Sequence, residues 1–381
     1  MSYLDKLLDG VEVEWKGLGE VAELKRGRVM SKEYLIENKG TYPVFSSQTA
    51  NNGMIGCINT FDFDGEYVNW TTDGANAGTV FYRFGKFSIT NVSGLIKIIN
   101  EEILNYKFLF YWLSIEAKKY VYSGMGNPKL MSNQVAKILI PIPPLKVQEE
   151  IVRILDTFTE LTAELTAELT AELTARKKQY TYYRDKLLSF KEGEVEWKEL
   201  GEILIRTKGT KITASQMKEI HKDKAPLKIF AGGKTIAFVN FEDIPEKDVN
   251  REPSIIVKSR GIIEFEYYDK PFSHKNEMWS YHSKNQNINI KFVYYILKIN
   301  EGYFQNIGSR MQMPQISTPD TDKFKIPIPP LAEQERIVSI LDKFDALTSS
   351  ITEGLPREIE LRQKQYEYYR NMLLSFPKQE V

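Results

Sequence analysis

The sequence predicts an α+β protein, in which two α/β domains related by an approximate two-fold are separated by two long helices that pair antiparallel. Three observations carry this. IPIPPLKVQEEIVRILD at Ile140–Asp156 returns as IPIPPLAEQERIVSILD at Ile326–Asp342, an offset of 186, and RKKQYTYYRDKLLSF at Arg176–Phe190 returns at the same offset as RQKQYEYYRNMLLSF at Arg362–Phe376. Between the halves of the first copy, Thr159–Thr174 reads TELTAELTAELTAELT, a four-residue unit made of residues that favour or tolerate a helix. The segment ahead of each IPIPPL run is rich in Gly, aromatic and β-branched residues, the composition of short strands joined by tight turns. Internal repetition of this kind fixes an architecture before any single element does. It divides the chain into a first domain at 1–144, a central helix at 145–192, a second domain at 193–330 and a C-terminal helix at 331–381.

The first domain opens with EVEWKGLGE at Glu12–Glu20, which matches EVEWKELGE at Glu194–Glu202, and YLDKLL at Tyr3–Leu8 matches YRDKLL at Tyr183–Leu188. The chain therefore begins partway through a unit whose start lies at its C-terminus, so the N-terminal segment should pack beside the end of the C-terminal helix. YVNWTTDGANAGTVFYRFGKFSITNVSGLIKII then reads as strands, and EEILNYKFLFYWLSIEAKKYV as one helix ending at Gly124. In the second domain VKSRGIIEFEYYDKPFSH reads as strands and INIKFVYYILKI as the equivalent helix.

Pro143-Pro144 and Pro329-Pro330 close the strand-like runs, and acidic residues follow in the first turns of the long helices. The first helix is expected to run from Leu145 to Phe190. Its Leu161, Leu165, Leu169 and Leu173 form a stripe that drifts by about 40° per unit. The second copy keeps apolar residues at the matching Leu347, Ile351, Leu355 and Ile359. Gly354 and Pro356 should interrupt that helix, because proline lacks a backbone donor and clashes with the preceding turn. The predicted helix seam and partner interface comprise Ile151, Leu155, Phe158, Leu165, Leu169 and Tyr183, with Ile337, Leu341, Phe344, Ile351 and Tyr369.

Composition excludes several classes. The 381 residues carry 51 basic and 51 acidic side chains, so no all-over cationic surface is expected, although local basic faces remain open. One cysteine, Cys57, excludes an internal disulfide and fits a reducing cytoplasm, and three histidines make a zinc site unexpected. No run has the length of a membrane span, and the N-terminus lacks the apolar region of a signal peptide. AGGKT at Ala231–Thr235 fails the phosphate-loop pattern because Lys228 stands where its first glycine is required. DGANAG at Asp73–Gly78 reads as a tight turn more than an anion nest, and His274-Lys275-Asn276-Glu277 as a polar strand-to-turn segment. No catalytic constellation emerges.

Basic and amide residues do cluster in the loops of both domains. The candidates for contact with nucleic acid in the first domain are Lys25, Arg26, Arg28, Thr72, Asn76, Arg83, Lys86, Asn127 and Lys129. In the second they are Lys208, Lys211, Lys234, Lys258, Arg260, Lys275, Ser309 and Arg310. Lysine and arginine suit phosphates, while Arg, Asn, Ser and Thr also suit base edges. Any one of them alone reads as solvated surface; the recurrence in two repeated domains points to DNA.

The doubled IPIPPLxxQExIVxILD, the long helix ending KQYxYYRxxLLSF, the EVEWKxLGE starts and the TAEL spacer together resemble the specificity subunit of type I restriction–modification enzymes, with a spacer like that of the IC subfamily. The resemblance covers essentially the whole chain. It implies two target recognition domains, each reading half of a split double-stranded DNA sequence, and a coiled coil that sets their separation. It implies two modification subunits that carry S-adenosylmethionine, and restriction subunits that use ATP and Mg, all in the cytoplasm. This chain itself would hold no cofactor and perform no catalysis. The repeated helices and IPIPPL entries are the expected partner surfaces, since two identical partners require two equivalent sites. Two other classes fit the same residues: an adaptor that binds the modification subunit without reading DNA, and a coiled-coil scaffold with two protein-binding modules.

Overall fold

The computed structural model describes residues 3–124, 126–191, 193–309, 313–350 and 353–377. The chain forms two compact units, one of Met1–Glu168 with Ile359–Val381 and one of Leu169–Glu358.

The first unit holds β1 (Glu14–Gly17), β2 (Ala22–Arg26), β3 (Lys39–Phe45), β4 (Met54–Ile58), β5 (Phe63–Thr71), β6 (Val80–Ile89), β7 (Ser93–Ile98) and β8 (Leu139–Ile142). Six of these form one sheet in the order β2-β7-β5-β6-β3-β4, while β1 and β8 pair as a separate antiparallel ribbon. Val68, Trp70, Ile96 and Ile98 of the sheet are buried with Phe108, Leu109 and Trp112 of the helix Tyr106–Glu116. That helix starts later than the sequence predicts because Asn105 caps it, accepting from the backbone of Lys107 and Phe108. It also ends earlier, giving way to a 3-10 turn at Ala117–Tyr120.

The second unit repeats the plan with β9 (Glu196–Glu199), β10 (Leu204–Lys208), β11 (Leu227–Phe230), β12 (Ile236–Val239), β13 (Ser254–Lys258), β14 (Glu264–Tyr268), β15 (Phe272–His274), β16 (Trp279–Ser283) and β17 (Lys325–Ile328). Here the sheet is split into β10-β16-β13-β14 and β12-β11-β15, with β17 and β9 as the ribbon. The long β6 of the first unit crosses both halves, with Gly85 at φ 86 absorbing the bend. In the second unit Lys270 and Pro271 interrupt the equivalent run, and proline cannot donate to a ladder. The helix Ile290–Ile299 is again capped by asparagine, Asn289.

The repeated IPIPPL motif locks each domain onto its long helix. In the first unit Gln148 is fully buried, donating to Ile103 O and Pro143 O at 2.8 Å and accepting from Asn105 N at 2.9 Å. Asp156 accepts from Lys107 Nζ at 2.6 Å and from Tyr111 OH at 2.7 Å. The second unit reproduces both, with Gln334 on Asn289, Asn287 and Pro329, and Asp342 on Lys291 and Tyr295.

The central helix runs Leu145–Leu187, 43 residues, three short of the expected end. Its counterpart is broken into Leu331–Ser349 and Leu355–Leu373, as Gly354 and Pro356 predict. Gly354 adopts φ +82, and a Cβ there would meet Ala346 O at 2.5 Å, so no other residue fits. The two copies are therefore matched in residue spacing and not in helical continuity.

Helix pairing is present in each unit. In the first, Phe158 meets Tyr369 at 5.6 Å and Thr159 Oγ1 lies 3.0 Å from Tyr366 OH, an antiparallel sense. In the second, Tyr180 and Tyr183 pack on Phe344 at 6.1 and 5.9 Å. Phe158, Tyr183, Phe344 and Tyr369 are thus seam residues, with Leu165 and Leu169 half-buried on the central helix. Ile151, Leu155, Ile337 and Leu341 are wholly buried in the cores of their own units, in clusters that Leu373 joins for the first pair and Leu187 packs against for the second, so they present no surface to a partner subunit. Ile351 lies outside the described residues.

The N-terminal segment packs where the repeat places it. Leu4 and Leu8 share a core cluster with Leu373, Leu374 and Phe376, and Trp15 Nε1 donates to Pro377 O at 3.1 Å.

Candidate nucleic-acid interface

Backbone hydrogen bonds tie the loops of the first unit into one rim. The turn after β2 lies so close to the end of β6 that a Cβ on Gly27 would meet Ile89 O at 2.1 Å. Arg26 Nη2 donates to Asn91 O at 2.8 Å, Thr90 N to Phe45 O at 2.9 Å, Thr72 N to Val92 O at 3.1 Å and Leu130 N to Thr72 O at 2.8 Å. The rim thus joins Arg26 and Arg28 with Thr72, Asn76, Asn127 and Lys129. DGANAG forms a tight turn within it, with Ala77 N donating to Gly74 O at 2.9 Å and Gly74 N to Pro128 O at 3.0 Å. Lys25 sits one residue down β2 beside Glu23, and Lys86 lies farther along β6, 4.8 Å from the Phe61 ring centroid.

The second unit builds the same rim from other letters. A Cβ on Gly209 would meet His274 O at 2.2 Å, as at Gly27. Ile316 N donates to Ser259 O at 3.0 Å as Leu130 does to Thr72, and Lys275 N to Phe230 O at 2.9 Å as Thr90 does to Phe45. These bonds bring together Lys208, Lys211, Arg260, Lys275 and, on the turn after β11, Lys234. A cavity of about 810 Å³ opens at this corner, lined by Arg206, Lys208, Lys211, Lys247, Asp248, Asn250 and Asn276 among others. Asn250 Nδ2 is buried there without a partner among the described residues. Ser309 is exposed after the helix Glu301–Gly308, and Arg310 lies outside the described residues.

Burial sorts the candidate cations. Arg26, Lys208, Lys211, Lys234 and Arg260 are exposed. Arg28, Lys86, Lys129 and Lys275 pair with Asp62, Asp64, Asp73 and Glu277. Surface pairs of this kind are worth about 0–1 kcal/mol, so an incoming phosphate can replace the carboxylate. Three candidates are not available on the surface. Thr72 is fully buried, with its hydroxyl on Asp73. Lys258 is held by Glu264 and Glu266; burial opposes its charge, but the two carboxylates outweigh it and raise the ammonium above its usual range. Arg83 is 3% exposed, and burial pulls its guanidinium down to about 10.

Several rim residues escape a sequence reading. Asn51 and Asn52 cap the loop between β3 and β4 and are exposed, while Lys247 and Asn276 join the second rim only through folding. Consecutive positive φ at Asn51, Asn52 and Gly53 was legible only as an Asn-Asn-Gly turn signal.

The model of the type I restriction modification DNA specificity domain matches residues 10–175 and again 192–361. A type I restriction enzyme specificity subunit of Escherichia coli is 35% identical over 414 aligned positions, covering 100% of this chain and 98% of that one. A Mycoplasma pneumoniae protein named as a type I specificity subunit is 34% identical over 94% of this chain and 96% of its own length. Among solved structures, a chain of a type I R-M system superposes with a TM-score of 0.63 at 15% identity, covering 96% and 98% of the two chains. The S subunit from M. genitalium gives 0.58 at 19%, covering both chains fully. Such identities speak for the fold alone. With its two matched domains and a full-length relative above one-third identity, the chain belongs to the family of type I restriction–modification DNA specificity subunits.

Proposed function

We infer that this chain is the sequence-reading subunit of a type I methyltransferase and endonuclease complex, with each unit reading one half of a bipartite duplex target. The observation that carries the reading is the rim built twice on one scaffold from different side chains. Equal scaffolds give equal docking to two stretches of duplex, and unequal letters give unequal sequences. Exposed Arg26, Lys208, Lys211 and Arg260, with the displaceable pairs of Arg28, Lys129 and Lys275, supply phosphate contacts. The reading supplies recognition and no chemistry: S-adenosylmethionine, ATP and Mg belong to partner subunits.

Two modification subunits dock, on this reading, at surfaces the helices display twice. Of the residues identical in both copies, Tyr182 and Tyr368 remain 61% and 65% exposed, each four residues after an exposed lysine, Lys178 or Lys364. The central helix sets the gap between the half-sites. None of the helices among the described residues is long and apolar enough to cross a membrane, and we place the complex on DNA in the cytoplasm.

Mapping methylated adenines in a host with and without this gene tests the reading. The expected result is a two-part motif with a fixed gap that disappears with the gene. An unchanged methylation map, from a host in which the complex assembles, overturns it.

A further inference from the structure

An unpaired cation lies beneath the loop between β3 and β4. Arg83 is 3% exposed, its guanidinium 3.6 Å from the Phe45 ring centroid and 4.4 Å from that of Phe81. Its short hydrogen bond runs from Nη2 to Asn52 O at 2.8 Å, with longer ones of 3.4 Å to Asn69 Oδ1. Asn69 is itself fully buried and donates to Gly94 O at 2.8 Å. Among the described residues no carboxylate pairs with Arg83. Burying a cation unpaired is costly, and a loop carbonyl alone does not require a charge to hold it.

The loop it holds is closed by hydrogen bonds and oddly shaped. Ser46 N donates to Gly53 O at 2.9 Å, Gln48 Nε2 to Met54 O at 2.6 Å, and Ser46 and Thr90 join through their hydroxyls at 2.8 Å. At its tip Asn51, Asn52 and Gly53 take φ of 49, 53 and 82, three left-handed residues in a row. Two of them are asparagines, which enter this conformation more readily than other residues with side chains. Both asparagines are exposed, and among the described residues neither side-chain amide is hydrogen-bonded. The tip therefore offers two exposed amides without an intramolecular partner among the described residues, on a backbone that Arg83 holds from beneath.

We propose that Asn51 and Asn52 read an A·T pair in the half-site of the first unit, and that Arg83 is the positioning residue that holds their backbone. An asparagine amide matches the N6 and N7 edge of adenine in the major groove, one donor to one acceptor on each side. The buried charge draws the polyanion onto this tip. The second unit places Gly232-Gly233-Lys234 at the corresponding turn, beyond the Phe230 carbonyl that Lys275 N caps. The same position thus carries amides in one unit and an ammonium in the other, as two readers of different sequences require.

The proposal rests on the chain being a DNA reader, and the test separates the two. The complex assembled with its modification subunits is measured, at fixed salt, on duplexes that carry every single base-pair change across both mapped half-sites. A wild-type complex that discriminates in neither half-site removes the DNA-reading function altogether. Given a discriminating wild type, the double substitution N51A/N52A should lose about tenfold or more of its preference at an A·T position in one half-site. The other half-site and the salt dependence should stay as they were, which a merely structural loss would not achieve. R83Q should weaken the preference at that same position. Unchanged discrimination in the N51A/N52A complex overturns the proposal, as does a loss confined to G·C positions.

Discussion

Gln148 and Gln334 hold the same place in the two units, each fully buried, each making two hydrogen bonds to the segment that leads into the domain helix and a third to the proline carbonyl at the entry of its own long helix. Their oxygens accept from the cap residues Asn105 and Asn289, both at 2.9 Å. The cap that starts the domain helix and the entry to the long helix are therefore one polar network, made twice.

Replacing Gln148 with leucine removes the partner of Asn105 N, Ile103 O and Pro143 O, of which the bond to Pro143 O is buried and the other two are part-buried. A buried group left unpaired costs about 1–3 kcal/mol, so Gln148→Leu should destabilise the first unit by about that much. Gln334→Leu should do the same to the second. Denaturant unfolding of the assembled complex, followed by exchange protection in each unit, reads the loss. Protection unchanged in the unit that carries the substitution contradicts the network.

Alkali should loosen both units through their phenols. Burial, then the hydrogen bond to Asp342, pushes the Tyr295 phenol well above its ordinary 10.0, and burial and Asp156 act likewise on Tyr111. The unfolded chain then releases these protons at lower pH than the folded one. Stability is fully present below about pH 10 and is lost as pH rises through the folded values. Tyr295→Phe, which cannot ionise, should flatten that decline in the second unit, as measured by unfolding midpoints from pH 8 upward. A decline of the same steepness assigns it elsewhere.

How much of this was legible follows from what repetition can and cannot carry. The 186-residue offset shows the doubled architecture, and Gly354 with Pro356 shows the break, because both are local properties of the chain. The long-range docking of Gln148 is not local: its partners Ile103 and Asn105 lie more than forty positions away, separations of 45 and 43. For the same reason periodicity places Ile151 and Ile337 on a helix seam and partner interface without showing that each is wholly buried in the core of its own unit. The rim is half legible. Its basic residues stand out by type, but Arg83 is drawn inside by two aromatic rings and Lys258 by two carboxylates, and no spacing rule foretells either.

Tyr182 and Tyr368 bear on partner assembly. Both are exposed while their neighbours Tyr183 and Tyr369 pack on Phe344 and Phe158. Each exposed ring also meets its neighbour edge-on, Tyr182 on Tyr183 at 5.3 Å and Tyr368 on Tyr369 at 5.4 Å, so alanine at either site should cost about 0.5–1.5 kcal/mol of stability. Y182A and Y368A should each weaken capture of one modification subunit, and the double variant both. Mass measurement of the reconstituted complex counts the subunits. Full two-partner assembly by the double variant rejects these tyrosines as docking points.

The TAEL repeat gives the last expectation. Within the central helix Leu145–Leu187, each unit contributes about 6 Å of rise and leaves about 40° of rotation relative to a whole turn. The duplex advances about 3.4 Å per base-pair step. Deleting one unit should therefore shorten the unread gap by one or two base pairs, less where helix pairing absorbs the rotation. The half-sites should be unaffected, because the rims are built by β-strand loops whose hydrogen bonds do not involve Thr159–Thr174. The broken counterpart helps such a change to be tolerated, since the interruption at Gly354 already separates its two segments and can take up a shift in register. Methylation mapping of a four-residue deletion decides: a shorter gap with the same half-sites supports the ruler, while altered half-sites at an unaltered gap would place sequence readout in the helix itself.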